Sequence, residues 1–96
     1  MKISYDPVKR ALTLENRALD FDDAGKVFAR LHFTIRDNRF DYGEERYLTL
    51  GPLHDRLVVL VWTPRGESRR IISMRHANDR EKARYDAYAA GAMDRP

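Results

Sequence analysis

Three arginines surround a short apolar run in residues 69–75, RRIISMR. Strict alternation along a strand places Arg69, Ser73 and Arg75 on one face and Arg70 on the other. Guanidinium groups bind phosphates through paired hydrogen bonds and stabilise negative charge that develops on them. The spacing is compatible with a phosphodiester site, but arginines at strand ends are also commonly solvated gatekeepers.

Groups that could move a proton lie in the neighbouring segments. Glu45, Tyr47 and Thr49 alternate along ERYLTLG and would reach the side of Arg75 if the strand register agrees. Arg65 lies in a turn-like PRGE segment, and His76 directly follows Arg75. A carboxylate or an imidazole could act as general base while arginines hold the phosphate. Cross-strand ion pairing of little energy is the competing interpretation.

Several other kinds of chemistry are not indicated. The chain has no cysteine, which excludes disulfides, thiolate metal sites and cysteine nucleophiles. Its three histidines lack metal-ligand spacing, so we expect no metal and no cofactor. No glycine-rich phosphate loop or nucleophile elbow is present. Trp62 is expected in the core, although an edge position would let it stack on a base.

The length and the charge distribution describe a small basic domain. The chain has 96 residues, of which 34% are charged, and a formal net charge of +3. Residues 1–55 carry nine Lys and Arg against ten Asp and Glu, whereas residues 56–96 carry nine against five. The basic second half indicates a nucleic acid or an acidic protein as partner. We expect one domain over residues 1–91, a frayed tail over 92–96, no membrane segment and a cytoplasmic location.

The elements that would position these residues can be read from the periodicity. KISY predicts a short strand, Asp6-Pro7 the start of a helix, and Asp20 the start of a second helix. Beyond residue 32 the period changes to that of strands, with RLVVLVWT as a central strand and RRIISMR as its hairpin partner. Asn78 and Glu81 form a capping box for a last helix that ends near Gly91.

This order predicts an α+β fold. It consists of a small twisted, mainly antiparallel sheet with two N-terminal helices packed on one face and a C-terminal helix. The stripes expected to be buried are Val8, Ala11, Leu12 and Leu19 in the first helix and Phe21, Ala24, Val27, Phe28 and Leu31 in the second. Ile72 and Met74 are expected to face the core, with Ser73 and Arg75 directed outward.

The ordered set of segments YDPVK, GEERYLTLG, RLVVLVWTPRG, RRIISMR and ANDREKARY resembles the BrnT family of toxins from type II toxin–antitoxin systems. The resemblance extends from about residue 3 to residue 88. It implies a RelE-like fold and a metal-independent ribonuclease in which a ribose 2′-OH attacks the adjacent phosphate. It also implies a ribbon-helix-helix, BrnA-like antitoxin that covers the active face, with operator DNA bound only through that antitoxin.

The resemblance also carries residue roles. The motifs imply catalytic roles for Glu45 as a candidate base and for Arg65 and Arg75 as phosphate ligands. They imply RNA or phosphate contacts for Arg46, Arg70 and Lys9, although alternation leaves Arg70 as a structural residue and Arg69 as merely solvated. His76 stands where the family commonly has Lys, and it is a further catalytic candidate.

One departure from the family pattern bears on activity. Asn16 to Ala18, NRA, replaces a Lys-His-Gly that is usual after the first helix, which removes one candidate acid or base. A catalytically inactive RNA- or protein-binding member of the same fold is therefore the alternative to an endoribonuclease. A basic domain without a specific activity, part of a larger assembly, is a third interpretation.

Overall fold

A computed structural model describes residues 2–93, and the side chains of residues 2–91. This part of the chain contains five strands and three α-helices, with a 3-10 turn at Phe21–Asp23 before the second helix. The strands are β1 (Lys2–Tyr5), β2 (Phe33–Arg36), β3 (Tyr47–Leu53), β4 (Arg56–Arg65) and β5 (Ser68–His76). The helices are α1 (Pro7–Arg17), α2 (Ala24–Phe28) and α3 (Asp79–Met93).

The strands form one mixed sheet in the order β1-β5-β4-β3-β2. Strands β2 to β5 pair antiparallel with their neighbours, whereas β1 runs parallel to β5. β4 lies in the middle of the sheet, and its residues 58–63 are buried. The predicted α+β class is confirmed, and RLVVLVWT is the central strand, covered on both faces.

The helix starts follow the local sequence as predicted. Asp6 accepts a hydrogen bond from the Val8 amide, and Pro7 occupies the first turn of α1. Asp20 accepts from the Asp22 amide and begins the 3-10 turn that leads into α2. α3 continues to Met93, two residues past the expected end at Gly91, and residues 94–96 of the expected tail lie outside the described residues.

The sheet buries a separate apolar cluster on each face. The larger cluster joins the 3-10 turn and α2 to the sheet and consists of Leu19, Phe21, Ala24, Val27, Leu53, Val58, Leu60, Trp62, Ile71 and Met74. The smaller cluster lies under α3 and consists of Leu50, Val59 and Ala77, with Phe33, Leu48, Leu57 and Tyr85 packed against it. The N-terminal and C-terminal helices therefore pack on opposite faces.

A β-bulge interrupts the pairing of β4 with β5. Val61 pairs with Ser73, but the next residue, Trp62, pairs with Ile71. Ile72 is thus an extra residue in β5 with no counterpart in β4. An inserted residue of this kind reverses the alternation of side chains on the strand that carries it.

The bulge corrects two predictions about this strand. Ile71 and Met74 are the core residues, with 1% and 0% of their surfaces exposed, whereas Ile72 is only partly buried. Arg70 lies on the same face as Arg75, because the extra residue stands between them. The prediction that Ile72 faces the core and that Arg70 lies opposite Arg75 is wrong, since it assumed uninterrupted alternation.

The register of β3 corrects a third prediction. Tyr47 pairs with Trp62 and Thr49 pairs with Leu60, so both lie on the face of the larger cluster. Arg75 pairs with Val59 on the other face. Tyr47 and Thr49 therefore do not share a side with Arg75. The Thr49 hydroxyl instead accepts a hydrogen bond of 2.7 Å from the indole of buried Trp62.

α1 is held mainly by polar contacts. None of its residues is buried, and Val8 and Leu12 are 67% and 51% exposed, so the expected burial of Val8, Ala11 and Leu12 is wrong. Leu19, which follows the helix, is buried as expected. Arg10 forms a bidentate ion pair with Asp20, and Arg17 donates a hydrogen bond to the Met74 carbonyl at 2.8 Å. The Arg17 contact satisfies a backbone group at the edge of β5, beyond its pairing with β1. Among the described residues, no helix is long and apolar enough to cross a bilayer.

Candidate functional site

Four arginines share the sheet face that α3 covers in part. Register and alternation place Arg65, Arg70 and Arg75 on this face, together with Arg46, which alternates with Leu48 of β3. We call the surface that these four residues form the arginine face. Arg65 is opposite Ser68 and Arg75 is opposite Val59, so their Cα atoms are about 20 Å apart at 3.3–3.4 Å per residue.

One carboxylate connects two of these arginines. Glu44 accepts from Arg65 Nη2 at 3.1 Å, and from Arg46 Nε and Nη2 at 3.4 Å each. The Arg46 guanidinium also lies 4.0 Å from the centroid of the Tyr42 ring. These contacts hold two cations at one end of the sheet, Arg46 on one oxygen of the Glu44 carboxylate and Arg65 on the other. Guanidinium groups bind phosphate oxygens in the same way as carboxylate oxygens.

The loop between β2 and β3 adds a fifth cation. The Asp37 side chain has no exposed surface and accepts two side-chain hydrogen bonds of 2.8 Å from Arg39, with a further bond from Tyr42 at 3.2 Å. The Arg39 guanidinium and the Arg39 amide lower the pKa of the Asp37 carboxyl to about 2. Asp37 therefore stays ionised and fixes Arg39, whose charge acts on Arg75.

At the other end of the arginine face, Arg75 is bound by Glu81 of α3. Arg75 Nη1 and Nη2 donate to the two Glu81 carboxylate oxygens at 2.7 and 2.8 Å. Glu81 and Asn78 also exchange hydrogen bonds across the first turn of α3, as the predicted capping box requires. The Arg75 hydrogen bonds lower the pKa of Glu81, which makes Glu81 an anchor for the guanidinium and a weak base.

The structure separates Glu45 from the arginine face. The Glu45 carboxylate accepts from the Tyr47 hydroxyl at 3.0 Å and lies 3.9 Å from Arg36. The hydrogen bond that Tyr47 donates to Glu45 raises the pKa of Tyr47. Tyr47 lies on the other face of the sheet, so the carboxylate nearest to Arg46 and Arg65 is that of Glu44.

His76 and Lys9 are also placed apart from Arg65. His76 pairs with Val58, and Val58 is about 23 Å from Arg65 at the strand rise of 3.3 Å per residue. Lys9 lies on α1 and lines a shallow cleft of about 260 Å³ with Ile72 and Ser73 at the edge of β5. The cleft adjoins the arginine face at Ser73, whereas His76 belongs to the far end of the sheet.

Arg69 occupies an unexpected environment on the face of the larger cluster. Its guanidinium carbon lies 3.9 Å from the Phe28 ring centroid and 5.3 Å from that of Trp62. Its Nε is buried and has no hydrogen-bond partner among the described residues. Burial lowers the pKa of Arg69. The expectation that Arg69 is simply solvated is wrong, because the bulge places it over aromatic rings.

Three residues of this site escaped the sequence-based selection. Glu44 was overlooked beside Glu45, although Glu44 is the neighbour that reaches the arginines. Asp37 and Arg39 lie in a segment that is turn-like in sequence, and i,i+2 Asp–Arg spacing is too common to select them. Among the described residues, no three His, Asp or Glu side chains are grouped closely enough to hold a metal ion.

Comparison with known families identifies the family of this chain. A model of the family described as the ribonuclease toxin BrnT of type II toxin–antitoxin systems matches residues 5–81, a span that runs from the last residue of β1 to the first turn of α3. Among curated proteins, none matches the chain. A type II system includes an antitoxin, so membership implies an antitoxin partner. The matched span covers most of the chain, which therefore belongs to the BrnT family of ribonuclease toxins.

Proposed function

We propose that the protein is an endoribonuclease toxin whose arginine face binds the RNA backbone and cleaves it without a metal ion. The observation that carries the proposal is the presence of Arg46, Arg65, Arg70 and Arg75 on one sheet face. Guanidinium groups suit phosphodiesters because they offer paired donors and permanent charge. A RelE-like fold, in which such toxins carry their site on the sheet, is part of the same proposal.

In the proposed reaction the ribose 2′-oxygen attacks the adjacent phosphorus. Its proton passes to a base, the new O2′–P bond forms, and the P–O5′ bond breaks. The products are a 2′,3′-cyclic phosphate and a 5′-oxygen that takes up a proton. Arg46 and Arg65 stabilise the charge that accumulates on the phosphoryl oxygens in the transition state. Arg75, about 20 Å from Arg65 along the sheet, binds a different phosphate of the same strand.

Glu44 is the base that this geometry favours. It contacts both Arg46 and Arg65, whereas Glu45 is engaged by Tyr47 on the other face. Glu81 is the less suitable candidate, because Arg75 lowers its pKa and so its basicity. We therefore assign Glu44 as the base, with Arg46 and Arg65 at the scissile phosphate and Arg70 and Arg75 binding flanking phosphates.

The antitoxin is proposed to be a BrnA-like ribbon-helix-helix protein that covers the arginine face. An acidic antitoxin segment would complement the four arginines electrostatically, and it would exclude RNA by occupying the same donors. Operator DNA would then be bound by the antitoxin half of the complex. Arg75→Ala tests this geometry, because a face shared by RNA and antitoxin requires that one substitution weakens both interactions.

The neighbouring glutamates provide a matched test of the mechanism. Glu44→Gln and Glu45→Gln make the same chemical change at adjacent positions of the chain. We expect Glu44→Gln to lower kcat for RNA cleavage by 10²-fold or more, in line with the usual contribution of a general base of roughly 10²–10⁴. Glu45→Gln should retain cleavage within about threefold. A loss of cleavage confined to Glu45→Gln would reassign the base.

Cleavage itself is tested on purified protein incubated with RNA, with and without EDTA. We expect equal rates under both conditions and products that end in 2′,3′-cyclic phosphate. The alternative is a member that binds RNA without cutting it. That alternative is favoured by the distance of His76 from Arg65, which leaves the described arginine face without an imidazole. Binding without any cleavage would establish the alternative.

A further inference from the structure

A groove lies at the end of the sheet farthest from Arg65. Two adjoining cavities of about 440 and 430 Å³ share three lining residues, His54, Arg56 and His76. Together the cavities are called the histidine groove. The groove passes from the end of α1 on one face of the sheet to α3 on the other face, around the two-residue turn at His54 and Asp55 that joins β3 to β4.

His76, which lines both cavities, has a buried polar atom without a partner. Its Nδ1 is buried and has no hydrogen-bond partner among the described residues. A buried polar atom without a partner costs roughly 1–3 kcal/mol, and nearly all such atoms in native proteins are paired. The arginine face does not explain this atom, because His76 points to the opposite face from Arg75.

The groove also contains cations that the protein leaves available. Arg56 forms no ion pair with any described residue, and Lys82 has only a loose contact of 3.9 Å with fully exposed Asp79. Both lie beside the cavity of about 440 Å³. Arg56 and Lys82 therefore provide free donors for a phosphate group.

The remaining walls suit a nucleobase. Pro52, Leu57 and Tyr85 provide an apolar and aromatic surface, and two carboxylates, Asp55 and Asp86, line the same cavity. Carboxylates accept hydrogen bonds from exocyclic amino groups of bases, as acidic side chains do from cytosine N4. A cavity of about 440 Å³ is within the range of roughly 300–1,000 Å³ that is usual for small-molecule sites.

We propose that the histidine groove binds a second nucleotide unit of the RNA strand, remote from the scissile phosphate. Arg56 and Lys82 bind its phosphate, and its base lies against Tyr85 with an amino group directed at Asp55 or Asp86. The base is adenine, cytosine or guanine, because uracil has no exocyclic amino group to donate. This inference rests on the proposed function, since it assigns to the same RNA strand a second point of contact.

Because the two sites are far apart, the proposal predicts that the affinity for RNA depends on the length of the RNA. Val58, opposite His76, is about 23 Å from Arg65. An RNA of four nucleotides that is bound at Arg46 and Arg65 is too short to extend into the groove as well, whereas a dodecamer can cover both. Contacts in the groove should therefore add to the affinity for long RNA and leave the affinity for short RNA unchanged.

The test uses 2′-O-methyl oligonucleotides, which cannot be cleaved because the attacking hydroxyl is blocked. Binding of a tetramer and a dodecamer is measured by fluorescence anisotropy for Arg56→Gln/Lys82→Gln. The control is Arg30→Gln/Arg80→Gln, which removes the same charge from exposed positions outside the groove. We expect the groove variant to raise the Kd of the dodecamer five- to tenfold relative to the control and to leave that of the tetramer unchanged.

Direct occupancy is tested by titrating the protein with CMP and with UMP and following backbone amide signals by NMR. CMP should shift the amides around His54, His76 and Lys82 at lower concentration than UMP does. Equal effects of the groove and control variants on the dodecamer would overturn the proposal, as would CMP shifts confined to the arginine face. Binding in the groove without RNA cleavage would leave the proposal standing and reject the endoribonuclease. RNA cleavage without binding in the groove would reject the proposal and leave the endoribonuclease assignment standing.

Discussion

Arg75 and Glu81 face each other across the junction of β5 and α3, with both guanidinium Nη atoms on the two carboxylate oxygens at 2.7 and 2.8 Å. Glu81 also accepts from the Asn78 amide at 2.9 Å. One carboxylate therefore caps the last helix and orients an arginine of the proposed RNA site. The start of α3 and the orientation of Arg75 therefore both depend on the Glu81 side chain.

This double role predicts different effects for two substitutions of Glu81. Glu81→Gln keeps a hydrogen-bonding cap but loses the charged pair, and we expect a loss of about 1 kcal/mol in the free energy of unfolding, since Arg75 is partly exposed. Glu81→Ala should lose about 1 kcal/mol more, because the helix cap is also removed. Urea unfolding measures both. Equal stability of the two variants would show that capping contributes nothing.

The buried Asp37 predicts a dependence of stability on acid pH. Its pKa is about 2 in the folded protein and near 3.8 when unfolded, so its ionised form stabilises the fold above about pH 4. This contribution, on the order of 2 kcal/mol, is lost as the pH falls from 4 to 2. Asp37→Asn should therefore be less stable at pH 7, and its deficit should shrink across that window. A deficit that stays constant from pH 7 to pH 2 would contradict this origin.

The bulge in β5 predicts that two adjacent arginines act differently. Arg70→Met should weaken RNA binding and reduce the slope of log K against log salt by about 1, because one phosphate contact is lost. Arg69→Met should leave RNA binding unchanged, since Arg69 lies over Phe28 on the other face. Arg69→Ala should lower stability by about 1 kcal/mol by uncovering the ring. Salt titrations of RNA binding and thermal unfolding provide the readouts.

A close approach between β3 and α2 predicts sensitivity at Gly51. A Cβ at this position would lie 2.8 Å from Val27 Cγ1 and 3.0 Å from His32 Cβ, both in packed surroundings. We expect Gly51→Ala to lower the free energy of unfolding by about 1–3 kcal/mol. Gly25→Ala is the control, because nothing lies within 4 Å of its Cβ and alanine favours the helix by about 0.5–1 kcal/mol. The two substitutions should shift the melting temperature in opposite directions.

Much of the fold follows from local sequence patterns. Asp6-Pro7, Asp20 and the Asn78–Glu81 box begin helices because their side chains satisfy backbone amides a few residues away. The apolar run of β4 is central because an uninterrupted apolar strand requires cover on both faces. Local patterns did not predict the burial of α1 correctly, since Val8 and Leu12 are exposed. Helical periodicity does not show whether an ion pair such as Arg10–Asp20 holds a helix in place of apolar packing.

The sequence by itself determined that this is a basic α+β domain with arginines on its late strands, since composition, capping and alternation are local properties. Only the tertiary structure decided which arginines act together. The bulge at Ile72 moves Arg70 to the face of Arg75 and places Arg69 over Phe28, and the register of β3 separates Glu45 from Glu44's partners. A single inserted residue reverses side-chain direction, and pairing across strands determines neighbours, so neither is visible in periodicity alone.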